Sequence, residues 1–249
     1  MGIRERQERE RQAVARAILD AARDLFVSEG YDHVSMRKIA ERIEYSPAAI
    51  YRYFSSKDHI FFALAEEGFR LMADRVETSL RSADPLDAVR RTFLAFYEFS
   101  RAHPEYFALM FLDRTVPSIR RNWERFAFIR ETRGEIVARL RQCTTRGLLP
   151  AALDPEAAFN VLAAAVHGVA VMRLCDRPAL GEQAEALARD VIEVALAGLR
   201  DGTTVTYVGV HGHEYPDEPA KGAASASRTA RPASRRASRR VVSSSRGTS

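Results

Sequence analysis

The sequence predicts an all-α protein in two parts: an N-terminal three-helix unit built around a helix-turn-helix, then a larger helical domain. Three observations predict it. Apolar residues recur at three- and four-residue spacing from Val14 to Leu199. Helix starts are written as Ser or Asp, repeatedly followed by Pro, as at Ser46-Pro47, Asp84-Pro85 and Asp154-Pro155. Strand-like composition is confined to residues 203–215, TTVTYVGVHGHEY, which have nothing to pair with and are expected as loop.

In chain order, residues 1–13 form a charged N-terminal arm. The stretch Arg4 to Arg16 alternates in charge and reads as an exposed helical extension or a frayed arm, with arginines that partly cancel against acids. From Val14 the pattern becomes amphipathic through Ile18, Ala21, Leu25 and Phe26, and Gly30 stops the helix. Ser35 caps a second helix whose inner face is Met36, Ile39, Ala40 and Ile43. Ser46 caps a third, with Pro47 at its first position. Only Glu44 and Tyr45 separate the two, so the axes must cross steeply. Ile50 and Phe54 can face inward against the first helix, closing a unit over residues 14–56. Pro47, Ala48, Tyr51 and Arg52 are left facing out. A helix with small residues at its exposed tip and a phenol and guanidinium one turn later suits a major groove, because bulk at the tip would hold the backbone away from base edges. An ordinary helical hairpin with surface tyrosines would show the same spacing.

The neighbouring residues distinguish the two. Phe26 to Leu64, FVSEGYDHVSMRKIAERIEYSPAAIYRYFSSKDHIFFAL, resembles the DNA-binding domain of the TetR family of bacterial transcriptional regulators. The resemblance is carried by Phe26, Gly30-Tyr31, Ile39-Ala40, Ser46, Ile50-Tyr51, Tyr53-Phe54 and Ser56-Lys57. Many members have Gly where Glu44 stands. A Glu in a left-handed turn is strained, so a differently shaped turn is expected, and a carboxylate there repels phosphate.

Ser55 or Ser56 caps a fourth helix to about Leu80, with Ser55 and Asp58 spaced for a capping box. Its Ile60, Phe61, Leu64, Phe69, Leu71 and Val76 are too many for a surface helix, so it is expected between two layers. A fifth helix runs from Pro85 to about His103, a sixth from Pro104 to about Leu112, and a seventh from Pro117 to about Arg146. An eighth starts at Pro155 and a ninth follows Gly181, with Leu187, Val191, Val194 and Leu199 on one stripe. The last two are apolar over more than one face, and Ala163, Ala164, Ala165 and Gly168 would let a neighbouring helix approach closely. Residues 57–200 thus form the second domain. Ten aromatic residues between Phe93 and Phe128 either fill its core or line an apolar pocket.

Composition bounds the remainder. The 249 residues carry 38 Lys and Arg against 33 Asp and Glu, but residues 219–249 hold eight of the basic groups and no acid. The folded part is therefore not basic, and any affinity for DNA must come from local charge. Of three lysines, Lys38 and Lys57 fall in or beside the helix-turn-helix, in agreement with phosphate contacts. Residues 201–249 are expected to be a disordered basic tail, acting either as a sequence-blind nucleic-acid anchor or as a solvated extension. Two cysteines give no disulfide framework, no secretory h-region begins the chain, and no apolar run is expected to span a bilayer, the best being Val161 to Met172. A cytoplasmic protein without membrane attachment is expected. No nucleophile elbow, phosphate loop, dinucleotide glycine pattern or HExxH helix occurs, so neither an enzyme nor a cofactor is expected. His211 and His213 lack a third ligand, and no metal is expected.

The resemblance implies a homodimeric regulator, more often a repressor, on a pseudo-palindromic double-stranded operator. The final two helices would form the dimer interface, and His167-Gly168 resembles a pair found in one group of the family's C-terminal domains. Ser35, Arg37, Tyr51, Tyr53 and Lys57 would hold the backbone, Pro47, Ala48 and Arg52 would face bases, and Ser46 at the turn completes the DNA-binding set. A small apolar or aromatic effector would sit among Phe96, Tyr97, Phe107, Phe111, Trp123, Phe126, Phe159, His167 and Met172. The alternatives are a constitutive or architectural DNA-binding protein without effector, or a carrier or enzyme for hydrophobic molecules.

Overall fold

Nine α-helices follow one another among the described residues, which are 2–117, 125–176, 180–202 and 205–206 of a computed structural model, and no strand occurs among them. The first, α1 (Ile3–Glu29), is one helix of 27 residues. Its charged first half is therefore a continuous extension and not a frayed arm. Pairs one turn apart support it, Arg6 to Glu10 at 2.9 Å among them, each adding a few tenths of a kcal/mol. From Ile18 onward the helix turns an apolar face inward: Ile18, Ala21, Ala22, Leu25 and Phe26 are buried. Gly30 ends it with φ +83°, a conformation that favours glycine, and its N–H reaches Phe26 O at 3.0 Å.

Helices α2 (Met36–Arg42) and α3 (Pro47–Tyr51) are short and lean on α1 through the fully buried Ile39, Ala40 and Ile50, with Ile43 and Phe54 partly buried beside them. The central helix is α4 (Lys57–Leu80). Ser56 caps it, accepting from His59 N–H at 3.2 Å. The expected Ser55–Asp58 box does not form: Ser55 Oγ instead pairs with His59 Nδ1, and Asp58 accepts from the Tyr31 hydroxyl. With Ile60, Phe61, Phe62, Leu64, Phe69, Met72 and Val76 buried, α4 touches α1 on one side and α5 (Pro85–Ala102), α6 (Pro104–Phe111) and α7 (Ala127–Thr145) on the other. Each such aromatic or branched side chain contributes about 1.5–3 kcal/mol when fully buried. Leu71, expected inside, is only half-buried.

Three expectations in the second half need correction. Helix α7 begins at Ala127 and not at Pro117; Phe126 precedes it without a side-chain cap. Residues 118–124, including Trp123, lie outside the described residues. Helix α8 (Pro155–Cys175) exceeds the apolar run read from the sequence: its 21 residues are long and apolar enough to pass as a membrane span by length and composition. Here it packs against α5, α7 and α9 (Ala184–Arg200), burying Ala158, Leu162, Val166, Val169 and Ala170, while Ala164 and Gly168 stay exposed. The buried stripe of α9 is Ala184, Ala188, Ile192, Leu196 and Leu199; Val194, expected on one stripe with Leu199, is 72% exposed on another face. The small alanines set which face α9 turns to α8, because they let the two backbones come close.

Two apolar clusters result. One joins α1 to α4 with α6 and includes Phe99, Phe126 and Ala170, so the helix-turn-helix shares a continuous core with the larger helical part. The other fills the space between α5, α7, α8 and α9. The segment 207–249, with His211, His213 and the basic run, lies outside the described residues.

Candidate nucleic-acid interface and effector site

The turn between α2 and α3 is closed by two backbone bonds, Tyr45 N–H to Ala40 O at 2.9 Å and Glu44 N–H to Glu41 O at 3.3 Å. That is a Schellman termination, which places the residue after the C-cap in the left-handed region. Glu44 occupies it with φ 60°. The turn is thus the shape that glycine favours, not the different shape expected for a Glu, and the two hydrogen bonds offset a cost of about 1–2 kcal/mol. Ser35 and Ser46 both cap as read from the sequence, accepting from Lys38 and Ala49 N–H at 3.2 Å each.

Anchoring Ile50 at zero exposure leaves Ser46, Pro47, Ala48, Tyr51 and Arg52 on the outer side of α3, all exposed, with Tyr51 54% accessible. Tyr45 is 45% exposed beside them. Sequence reading passed over it as a connector, although an aromatic residue in a two-residue turn is itself a signal. Tyr53 is half-buried. Ser35 and Arg37 are exposed on α2, where Arg37 pairs with Glu41 at 2.7 Å.

The lysines are more constrained than the sequence suggested. Lys38 is held by Glu29. Lys57 gives one N–H to Tyr31 O at 2.8 Å and lies 4.0 Å from the centre of the Tyr31 ring, a cation–π contact that leaves two donors for another partner.

The expected effector residues divide. His167 is the hub of an aromatic group: Phe111 lies 5.0 Å away between ring centres, Phe107 5.7 Å and Phe96 5.8 Å. His167 Nδ1 donates to Ala163 O at 2.8 Å, which leaves Nε2 as an acceptor. Burial holds its pKa below the ordinary value, against a smaller opposing effect of the Ala163 hydrogen bond, so the ring is neutral near pH 7. Phe159 joins the group through Phe93, which it meets at 5.7 Å, and also carries the Arg133 guanidinium over its face at 4.7 Å. Tyr97, a quarter-turn from Phe96, is buried in the other apolar cluster. Phe126 packs on Phe62 and Phe69, and Met172 is half-buried outside both clusters. The structure therefore brings Phe96, Phe107, Phe111 and His167 together, joins Phe126 to Phe111 through Phe69, and leaves Tyr97 and Met172 apart.

Two family models match in series, bacterial regulatory proteins of the tetR family over residues 18–64 and the tetracyclin repressor-like C-terminal domain over residues 89–195. The chain belongs to the TetR family. The first match contains the whole helix-turn-helix, and the second begins within α5 and ends within α9. A helix-turn-helix-type transcriptional repressor of Mycobacterium tuberculosis is 40% identical to this TetR protein over 80 residues, 32% of this chain and 40% of that one. The chain spans about two-fifths to half the length of the curated relatives it matches. Among solved structures, the TetR regulator PfmR from Thermus thermophilus aligns at a TM-score of 0.60 with 24% identity, over 73% of this chain and 95% of that one. FadR from Bacillus subtilis, solved in complex with stearoyl-CoA, aligns at 0.61 with 18% identity, over 73% and 97%. At these identities the structures share the TetR fold.

Proposed function

We propose that this TetR-family protein is a ligand-responsive transcriptional repressor that binds a pseudo-palindromic operator as a homodimer and is released by a small apolar effector. The observation that carries the reading is the bare face of α3. Pro47, Ala48 and Tyr51, with the caps Ser46 and Arg52, are exposed around a fully buried Ile50, so the helix is held rigidly by one side and offered by the other. Ser35, Arg37, Tyr53 and Lys57 flank that face as backbone contacts; Lys57 keeps two donors for phosphate after serving Tyr31.

Dimerisation through α8 and α9 is supported by their outer faces. Ala164 and Gly168 on α8 are exposed and small, and Val194 on α9 is an exposed branched side chain with Leu187 and Val191 partly exposed on the same stripe. An apolar effector is supported by the half-buried Phe96, Phe111 and His167, which offer flat apolar surface and one acceptor nitrogen. The stearoyl-CoA held by the Bacillus neighbour makes a fatty acyl chain the first effector class to try.

The test is electrophoretic. Duplexes carrying the inverted repeat selected by the wild-type protein from a random pool are shifted by wild type and by a Tyr51→Ala, Ala48→Glu variant. Both positions are exposed, so the fold is kept. Loss of the shift supports the reading; an unchanged shift removes α3 as the reading helix.

A further inference from the structure

We propose that the cleft between the N-terminal extension of α1 and the end of α3 is a clamp for the sugar-phosphate backbone of duplex DNA, with Arg11 and Arg52 as its phosphate ligands. The proposal rests on the reading of α3 as the operator-binding helix and adds a second surface to it.

The cleft has a volume of about 840 Å³; one wall is α1, with Gln7 and Arg11, and the other carries Tyr45, Arg52 and Tyr53. The α1 wall exists because the alternating-charge segment is helical from Ile3, so Arg11 is held in register and not on a loose arm. Its neighbour Glu10 also lines the cleft, but that carboxylate is paired to Arg6 at 2.9 Å. Arg11 and Arg52 form no ion pair with any described residue.

Two unneutralised guanidiniums facing one concave space call for an anion. The phenols of Tyr45 and Tyr53 add hydroxyl donors and flat faces for sugar, and the Gln7 amide adds another donor. A polyanionic strand fits that chemistry; an apolar effector does not. Arg52, expected from the sequence at base edges, lines this cleft instead; it adjoins Tyr51 at the end of α3, so the strand it would hold is the one bordering the groove that α3 enters. Such contacts position the protein without reading bases.

The full-length chain is titrated with its selected operator and with an unrelated duplex at several salt concentrations, comparing wild type with Arg11→Ala, Arg52→Ala and Arg4→Ala. Arg4 lies on α1 outside the cleft and controls for general charge. For Arg11→Ala, affinity is expected to fall about tenfold on both duplexes alike. The slope of log affinity against log salt is expected to drop by about 0.9 per lost contact. Arg52→Ala should do the same, and hydroxyl-radical protection of sugars flanking the operator should shrink in both. Arg11→Ala indistinguishable from wild type, or Arg4→Ala equal to Arg11→Ala, overturns the clamp and leaves the operator reading standing. A wild-type protein that binds no duplex overturns both.

Discussion

Asp113 Oδ2 accepts a hydrogen bond from the backbone N–H of Tyr31 at 3.1 Å, joining the segment after α6 to the link between α1 and α2. Tyr31 in turn receives Lys57 on its carbonyl and its ring. A shift of α6 thus acts on the residue that positions the ammonium at the start of α4. Asp113→Ala leaves the Tyr31 N–H without its partner, and we expect a loss of about 1 kcal/mol in stability, read as a lower unfolding midpoint in urea. Burial would raise the Asp113 pKa, but hydrogen bonds from Thr115 and Tyr31 outweigh it and hold the value below normal. The contribution is therefore complete above the ordinary carboxylate range and is lost as pH falls through the lower folded value. The variant should lack that acid limb.

Glu44→Gly should stabilise the protein by about 0.5–1 kcal/mol, since relief of the left-handed strain exceeds the added entropy of the unfolded chain. It also removes an exposed carboxylate from the turn that precedes α3. Operator affinity should rise, most at low salt, in a fluorescence anisotropy titration. Glu44→Gln separates the two effects, for it removes the charge and keeps the strain.

At Gly68, α4 and α6 meet closely. A β-carbon there would lie 2.5 Å from Met110 Sδ and 2.9 Å from Tyr106 Cδ1. The methionine can swing away, but the ring of Tyr106 is 3% exposed and has nowhere to go. Gly68→Ala is expected to cost about 1–3 kcal/mol, measured by thermal denaturation, because α6 must move. Displacing α6 should also weaken operator binding through the Asp113 contact.

His167 supplies a pH test. Its folded pKa lies below the ordinary value because burial disfavours the charged ring, with the Ala163 hydrogen bond opposing weakly. The unfolded chain then binds the proton first as pH falls. Stability is full above about 6.5 and declines between there and the lower folded value. His167→Gln should flatten the dependence of the melting temperature over that window and keep a hydrogen bond to Ala163 O.

The starts of α2, α3, α5 and α8 were legible because Ser35, Ser46-Pro47, Asp84-Pro85 and Asp154-Pro155 act within a few residues of themselves. The start of α7 was not, since Phe126 carries no capping group and Pro117 falls on the wrong side of it. The inner face of α9 was missed because Ala184 and Ala188 pack by being small, whereas a reading by apolar size put Val194 and Leu199 on one stripe. The outer face of α3 followed from Ile50 and Phe54, four residues apart. What Lys38 and Lys57 do with their charge did not, for their partners Glu29 and Tyr31 are 9 and 26 residues away. The aromatic group around His167 shows the same limit. Phe96, Phe107 and Phe111 come from α5 and α6, and which of ten aromatics meet the imidazole depends on how α8 crosses them.

With 27 residues, α1 is about 40 Å long, and only its C-terminal half is gripped by the core. It is a pointer on a short pivot. A reorientation of about 10° at Ile18 sweeps the free tip, about 22 Å away at a rise of 1.5 Å per residue, by roughly 4 Å. A movement too small to unseat α3 from a groove would already swing Gln7 and Arg11 off whatever they touch, so the far end of this helix is where a change in posture registers first.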